Sequence, residues 1–401
     1  METVVLAFSG GLDTSFCVLH LREQGYRVIT VTVDTGGFSP AELLAIEARS
    51  AELGAAKHFT VDGKPELYAK MVSYVIKGNI LRGGVYPLCA GPERVIQASQ
   101  AAEIANQEQA VAVAHGSTGA GNDQVRFDLA IRVLAPGVKI ITPIRALKLS
   151  RAEEIAYLEA RGFSVSALSK DYSINKGVLG TTIGGRETKG SWDAPPDGVY
   201  PQVAPLEDTP DTPAEVVLGF HHGLPESLDS VPASGLEILN QLTHLGATHG
   251  IGKDIHLGNT IIGIKGRVAF EAPGILIAVK THRELEKLVL TKAQTNVKEV
   301  AALTYGDMLH EGQYFDPALR DIEALLDSSQ QRVTGRVRLK LFKGNIIVVG
   351  CESPYSLMNP KVATYGEENL LWDGRDAEGF CKLYGLQSVL AHRAGVLGGL
   401  S

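Results

Sequence analysis

The chain opens with a strand-like run over residues 3–8 that breaks at once into Ser9-Gly10-Gly11-Leu12-Asp13-Thr14-Ser15, after which a helical pattern begins. Two adjacent glycines let a backbone turn tightly and approach a ligand with no Cβ in the way. Hydroxyls at Ser9, Thr14 and Ser15 flank N–H groups at a helix start, where donors lack partners and the dipole is positive. These residue types in this order form an anion cradle. The loop is not of the Walker A kind, since no Gly-Lys-Ser/Thr follows its glycines, and residues 185–191 fail the same test because serine follows Gly190. Taken alone, Gly10-Gly11-Leu12-Asp13 is also compatible with a plain strand-to-helix turn.

Context narrows that choice. Strand patterns over 27–33, 57–61, 110–114 and 139–141 alternate with helical patterns over 40–53, 66–76 and 92–105. Ser150-Arg151-Ala152-Glu153 is a capping box opening a further helix, which Gly162 ends. Such alternation implies a parallel sheet covered by helices on both faces, with ligands beyond the carboxyl ends of its strands. The Ser9 loop, Asp34-Thr35-Gly36-Gly37 and His115-Gly116 all fall at such ends. Between 186 and 213 prolines at 195, 196, 201, 205, 210 and 213 leave an arm with little regular structure. Beyond it the pattern predicts strands over 215–220, 260–264 and 268–270 and a helix over 235–245. Helices follow over 282–328 with a break at Gly312, then a hairpin of 333–342 with 346–350, and a helical tail over 377–400 suited to docking on another subunit. The expected organisation is a nucleotide-binding domain over 1–165, a second domain over 166–375 carrying the arm, and a tail over 376–401.

With 401 residues there is chain enough for two cores, and a net charge of −7 argues against a nucleic-acid binder. Cys17, Cys89, Cys351 and Cys381 form no CxxC pair, which argues against structural zinc and for a reducing compartment. Neither a basic leader nor an apolar run of bilayer length is visible, so a cytoplasmic protein without membrane contact is expected.

A second informative stretch runs His115-Gly116-Ser117-Thr118-Gly119-Ala120-Gly121-Asn122-Asp123-Gln124-Val125-Arg126-Phe127-Asp128. Asn122 and Arg126, four apart, share a face if a helix begins here. By itself this is equally a solvated helix start. The N-terminal loop resembles that of the PP-loop ATP pyrophosphatases, and the two stretches together resemble the argininosuccinate synthase family. Further matches are Tyr172-Ser173-Ile174, the proline-rich stretch 193–200, His249-Gly250-Ile251-Gly252 and residues 352–357, so the likeness spans nearly the whole chain.

The resemblance implies an α/β fold: a parallel twisted, Rossmann-like sheet with helices on both faces, then an α+β synthetase and multimerisation domain with a helical tail. It implies a two-step ligation in which the ureido oxygen of citrulline attacks the α-phosphorus of ATP, carried as its Mg2+ complex, to give citrullyl-AMP and pyrophosphate. Aspartate then displaces AMP to form argininosuccinate. It implies no other metal or organic cofactor, and a homotetramer. By position, Ala7, Phe8, Ser9, Gly10, Gly11, Leu12, Asp13, Thr14, Ser15, Val33 and Gly116 would hold ATP. Thr118, Asn122 and Asp123 would hold aspartate, and Tyr86, Asn122, Arg126, Ser173 and Thr182 citrulline. Asp13, Asp123 and Arg126 would stand at the reacting centre, with Asp123 placed to receive a proton from the attacking amine. His115 is given no chemistry.

Departures from the family concentrate on citrulline. A Gly-Thr-Ser stretch is Cys89-Ala90-Gly91 here, a glutamate is Gly258, a tyrosine is Phe270, a lysine is Ala120, an Asn-Leu pair is Gly177-Val178, and Thr182 replaces serine. Three readings stay open. Another acid, Glu271 or Glu187, takes over; or the substrate is an α-N-acylated citrulline using room left by Gly91, Gly258 and Phe270; or ligase activity is lost and a nucleotide-binding protein remains.

Overall fold

A computed structural model describes residues 1–164, 172–366 and 371–398. Residues 1–355 form one compact unit and 356–401 another. The first unit begins with β1 (Thr3–Ala7), α1 (Leu12–Glu23), β2 (Arg27–Asp34), α2 (Pro40–Glu52) and β3 (Lys57–Asp62). Two short helices, α3 (Lys64–Leu67) and α4 (Ser73–Lys77), flank a π-helical turn, Tyr68–Val72. Then come α5 (Gly91–Gln107), β4 (Ala112–Ala114), α6 (Asp123–Leu134), β5 (Lys139–Ile141), α7 (Pro143–Leu147) and α8 (Arg151–Glu159). The five strands make one parallel sheet in the order β3-β2-β1-β4-β5. Its central strands are buried on both faces: Val4 and Leu6 pack with Phe16, Val18 and Leu21, while Val5, Ile29 and Val31 face Met71, Val95 and Ala101. The capping boxes at Ser39–Glu42 and Ser150–Glu153 are formed.

Antiparallel pairing takes over beyond residue 172. β6 (Tyr172–Gly177), β7 (Gly180–Gly185), β11 (Lys253–Asn259) and β12 (Lys265–Glu271) form a sheet in the order β11-β12-β7-β6. A third sheet, β10-β9-β8-β13-β14, is built from β8 (Ala214–His221), β9 (Leu224–Leu228), β10 (Val231–Pro232), β13 (Gly335–Phe342) and β14 (Asn345–Glu352). Four helices pack around these sheets: α9 (Gly235–Thr248), α10 (Pro273–Val289), α11 (Lys292–His310) and α12 (Pro317–Gln330). The arm holds only the short 3-10 turns Arg186–Lys189, Asp197–Val199 and Leu206–Asp208.

The strand expected over 260–264 is not there. Thr260 closes a loop instead, with its N–H and its hydroxyl both donating to the Ile264 carbonyl at 2.8 and 2.9 Å, and Gly263 turns at φ +87°. A β-branched run imitated a strand at the tip of the β11–β12 hairpin. The expected break at Gly312 is real, with φ +80° just past α11.

One apolar core runs from Val5 and Ile29 to Phe270, Leu339 and Leu341, so both halves of the first unit share it. A buried polar network adds to that junction. Lys298 Nζ meets Glu286 at 2.6 Å, Gln330 donates to the other Glu286 oxygen at 2.7 Å, and Asn79 donates to Glu286 while meeting His282 at 2.7 Å. In the second unit α13 (Gly374–Tyr384) is capped by Asp373 and followed by α14 (Leu386–Gly398).

Candidate active site

The glycine loop leaves the carboxyl end of β1 and starts α1 without a side-chain cap, so the first N–H groups of that helix are not tied up by a capping side chain. Gly10 sits at φ +73°, and a Cβ there would lie 3.0 Å from Ile46. Ser9 N–H donates to Thr14 Oγ1 at 3.4 Å and the Thr14 hydroxyl to the Gly11 carbonyl at 3.3 Å, both long bonds at an exposed surface that a phosphate can replace. Gly116 closes the other side, since a Cβ there would stand 3.2 Å from Asp13 and 3.3 Å from Thr14. Phe8, Ser15 and Val33 are buried, Ala7 and Leu12 half-buried, and the Val33 side chain belongs to the core rather than to an open surface. Behind the loop, burial and then the Asp13 charge push Glu154 up to about 8.

The second centre is an acid held by two guanidinium groups. Asp123, the first residue of α6, accepts from Arg126 Nη1 through one oxygen and from Arg94 Nε through the other, each at 2.9 Å. Burial alone would raise its pKa, but Arg94 and Arg126 hold the carboxyl below its usual range. A carboxylate in that state is a weak base, so the proton-accepting role expected of Asp123 loses its physical ground. Arg94 also donates to Gln97 at 3.1 Å and to Asn175 at 2.7 Å. Sequence reasoning missed it. The signal was an arginine heading the buried alanine face of α5 formed by Ala98, Ala101 and Ala105, a place that calls for a buried anionic partner.

Arg126 is buried and turns its other nitrogens to His310, with Nε donating to the carbonyl at 2.9 Å and Nη2 to ring Nδ1 at 3.3 Å. A guanidinium only donates, so Nδ1 accepts and the neutral ring carries its proton on Nε2. Burial and then the Arg126 charge push His310 down to about 2. Asn122 accepts from Ile261 N–H at 2.9 Å, tying the start of α6 to the β11–β12 loop, while Thr118 is exposed nearby in sequence. His115 is structural: Ser117 N–H donates to its Nδ1 at 3.3 Å, and its Nε2 donates to Asp128 at 2.9 Å.

Around the positions matched to citrulline the chain fills its own space. Tyr86 is buried; its hydroxyl donates to the Cys89 carbonyl, and its ring stacks on His256 at 5.2 Å and meets Phe270 edge-on at 5.2 Å. A Cβ on Gly258 would lie 2.5 Å from His256 Nε2, and one on Gly91 would lie 3.4 Å from Arg126. At Gly258 the His256 ring takes the space a side chain would need, whereas at Gly91 a Cβ would make only an ordinary contact. Thr182 is buried opposite Phe270, and Ser173 is exposed.

Of the two acids expected to replace the missing glutamate, Glu271 alternates to the face of its strand opposite Phe270, and Glu187 lies in the turn after β7. Glu271, next to Phe270 on the strand, has one oxygen taken by Gln202 and Val203 N–H, and Glu187 accepts from Tyr172 at 2.7 Å. The acid that approaches this cluster is Glu93. It is buried, accepts from Leu179 N–H at 3.4 Å, and lies where a Cβ on Gly177 would come within 2.6 Å, so the departure at 177 makes room for it. Burial pushes Glu93 up to about 7, against its own backbone N–H and Arg94.

Known proteins resemble this chain in sequence over nearly its whole length. A model described as the arginosuccinate synthase N-terminal HUP domain matches residues 3–164, and one described as the arginosuccinate synthase C-terminal domain matches 172–391. Argininosuccinate synthase of Xanthomonas axonopodis pv. citri is 44% identical over 97% of this chain and 94% of its own. The proteins of that name from Bacillus subtilis and Methanocaldococcus jannaschii are 39% and 38% identical over 96% and 97% of this chain, covering 95% and 98% of theirs. By domain content, by identity across the full length and by a parallel sheet with a glycine loop at its first strand, this chain belongs to the argininosuccinate synthase family.

Proposed function

We propose that the chain ligates citrulline to aspartate through a citrullyl-adenylate, with ATP as its Mg2+ complex consumed and AMP, pyrophosphate and argininosuccinate released. The observation carrying this reading is that the uncapped glycine loop, at β1, and the Arg94–Asp123–Arg126 cluster, at the start of α6, flank the close packing of Gly116 on Asp13 and Thr14. Free N–H groups at the start of α1 would take the pyrophosphate as it leaves. Adenylation gives the ureido oxygen a phosphate ester to leave with, and the amine then has a carbon it can attack. Two guanidinium groups around one carboxylate leave a net positive charge, which suits a dicarboxylate. Asp123 thus acts as the anchor that orients Arg94 and Arg126, and the amine gives up its proton to the departing phosphate or to water.

With [18O]-ureido citrulline, ATP and aspartate, the label is expected in AMP, formed in equal amount with pyrophosphate and argininosuccinate. AMP release that ignores citrulline and aspartate overturns the ligase reading and leaves a nucleotide-binding protein. With His256 filling the space beside Gly258, kcat/KM for citrulline is expected to exceed that for α-N-acetylcitrulline by roughly 10-fold or more. The reverse order favours the acylated substrate. The same reading takes the chain as a cytoplasmic homotetramer, supported by exposed apolar residues Phe380, Leu383 and Leu390 on α13 and α14; light scattering in solution tests it. No helix among the described residues is long and apolar enough to cross a membrane.

A further inference from the structure

On the opposite side of the β7–β12 pair from Phe270 and Thr182 lies a cavity of about 270 Å3, near the lower end of the range for small-ligand sites. The loop after β2, the β6–β7 turn, α9 and the amino end of α10 wall it, and none of the residues assigned above to ATP, aspartate or citrulline lines it. Glu271 does. Only 1% of this residue is exposed, and one carboxyl oxygen accepts from Gln202 and Val203 N–H at 3.2 and 3.0 Å. The other oxygen is buried with no partner. Burial pushes the Glu271 carboxyl up from its usual range, opposed by the Val203 and Gln202 N–H groups, by Lys176 and by its cross-strand neighbour Thr181, whose hydroxyl approaches without the geometry of a hydrogen bond.

A buried polar atom left unpaired costs on the order of 1–3 kcal/mol, more when it is charged, and is rare unless something fills the gap. The charges lining the cavity are Glu271, Asp34 and Lys64, and Lys64 is spent on Asp34 and on Asp62 at 3.0 Å. What remains is one negative charge. At the other wall α10 starts with Pro273 and has no side-chain cap, which leaves the N–H groups of Gly274 and Ile275, two lining residues, without a capping partner. An anionic point and a donor point in one small polar cavity call for a molecule with a cation at one end and an acceptor at the other.

We infer that this cavity is a second ligand site, separate from the ligase centre, that binds a small zwitterion with its ammonium or guanidinium on Glu271 and its carboxylate at the amino end of α10. Phe270 and Thr182 sit on the strands that form its wall, so occupancy bears directly on the wall of the ureido site.

Calorimetry on the full chain with ω-amino acids of two to six carbons, alongside the matching alkylamines and carboxylates, tests this. At least one ω-amino acid is expected to bind below 1 mM, roughly 10-fold tighter than its amine, with no binding of its acid. Glu271→Gln is expected to weaken that binding by 10-fold or more. Asn240→Trp, a change at an exposed residue on the rim, is expected to abolish it by blocking the mouth and to leave the thermal midpoint unchanged. Saturating ATP, aspartate and citrulline should not compete, so this result stands apart from the ligase assay. Absence of millimolar binding across the series, equal binding to wild type and Asn240→Trp, competition by the substrates, or equal response to potassium chloride alone each overturns the inference.

Discussion

At the scale of single residues, the site turns on arginine and on protons held in unusual places. Arg94 joins Asp123, Gln97 and Asn175 with one planar fork. Arg94→Ala is expected to lower kcat/KM for aspartate by roughly 100-fold, and Arg94→Lys to recover little, because a point charge cannot hold three partners in one plane. Initial rates at varied aspartate check this, and full activity in Arg94→Ala would remove the cluster from the site. Glu154 is held neutral beside Asp13 until pH about 8. Above that value its ionisation puts a second negative charge behind the phosphate loop, so KM for ATP is expected to rise with pH in the wild type. In Glu154→Gln the neutral amide cannot ionise, and the rise should vanish. Parallel pH profiles in the two proteins would exclude a link between Glu154 and the loop.

Elements show where sequence reading reaches and where it stops. The parallel strands, the capping box at Ser150–Glu153 and the hairpin of β13 with β14 were legible, because each depends on local chemistry: apolar runs, Ser-x-x-Glu, a glycine at a tight turn. β6 and β7 were not, since Tyr172–Gly177 and Gly180–Gly185 carry four glycines between them and gain their strand character by pairing with each other and with β12. Asn122 and Arg126 could be found as a pair four apart on a helix, and Asp123 by resemblance, whereas Arg94, His256 and His310 enter from three other elements and are visible only once these pack. The β11–β12 hairpin offers a test of that packing. Gly258→Ala puts a methyl group 2.5 Å from His256 Nε2, and overpacking of this kind typically costs about 1–3 kcal/mol. His256→Ala in the same chain should restore most of the loss. Urea denaturation of the single and double variants measures the coupling, and additive effects would mean that the two side chains do not share the space.

Across the whole molecule, β1, through Val5, and α11, which carries Lys298 and His310, rest on one core. Removing the cation at Lys298, which is 1% exposed, leaves Glu286 buried without its partner and is expected to cost about 3–5 kcal/mol. Because the core is shared, that loss should appear in β1 as well, as faster amide hydrogen exchange at Val4, Val5 and Leu6 in Lys298→Met. Unchanged exchange in β1 would show that the two halves open separately.

The shared core also sets a timetable for the growing chain. Val5 leaves the ribosome more than three hundred positions ahead of Leu339 and Leu341, which close the same cluster. At roughly 5–20 residues per second, that is a wait on the order of 20–70 s during which part of the apolar surface has no cover. Closure of this core thus waits until β13 has been made, and a nascent chain stalled before it is expected to leave that apolar surface open.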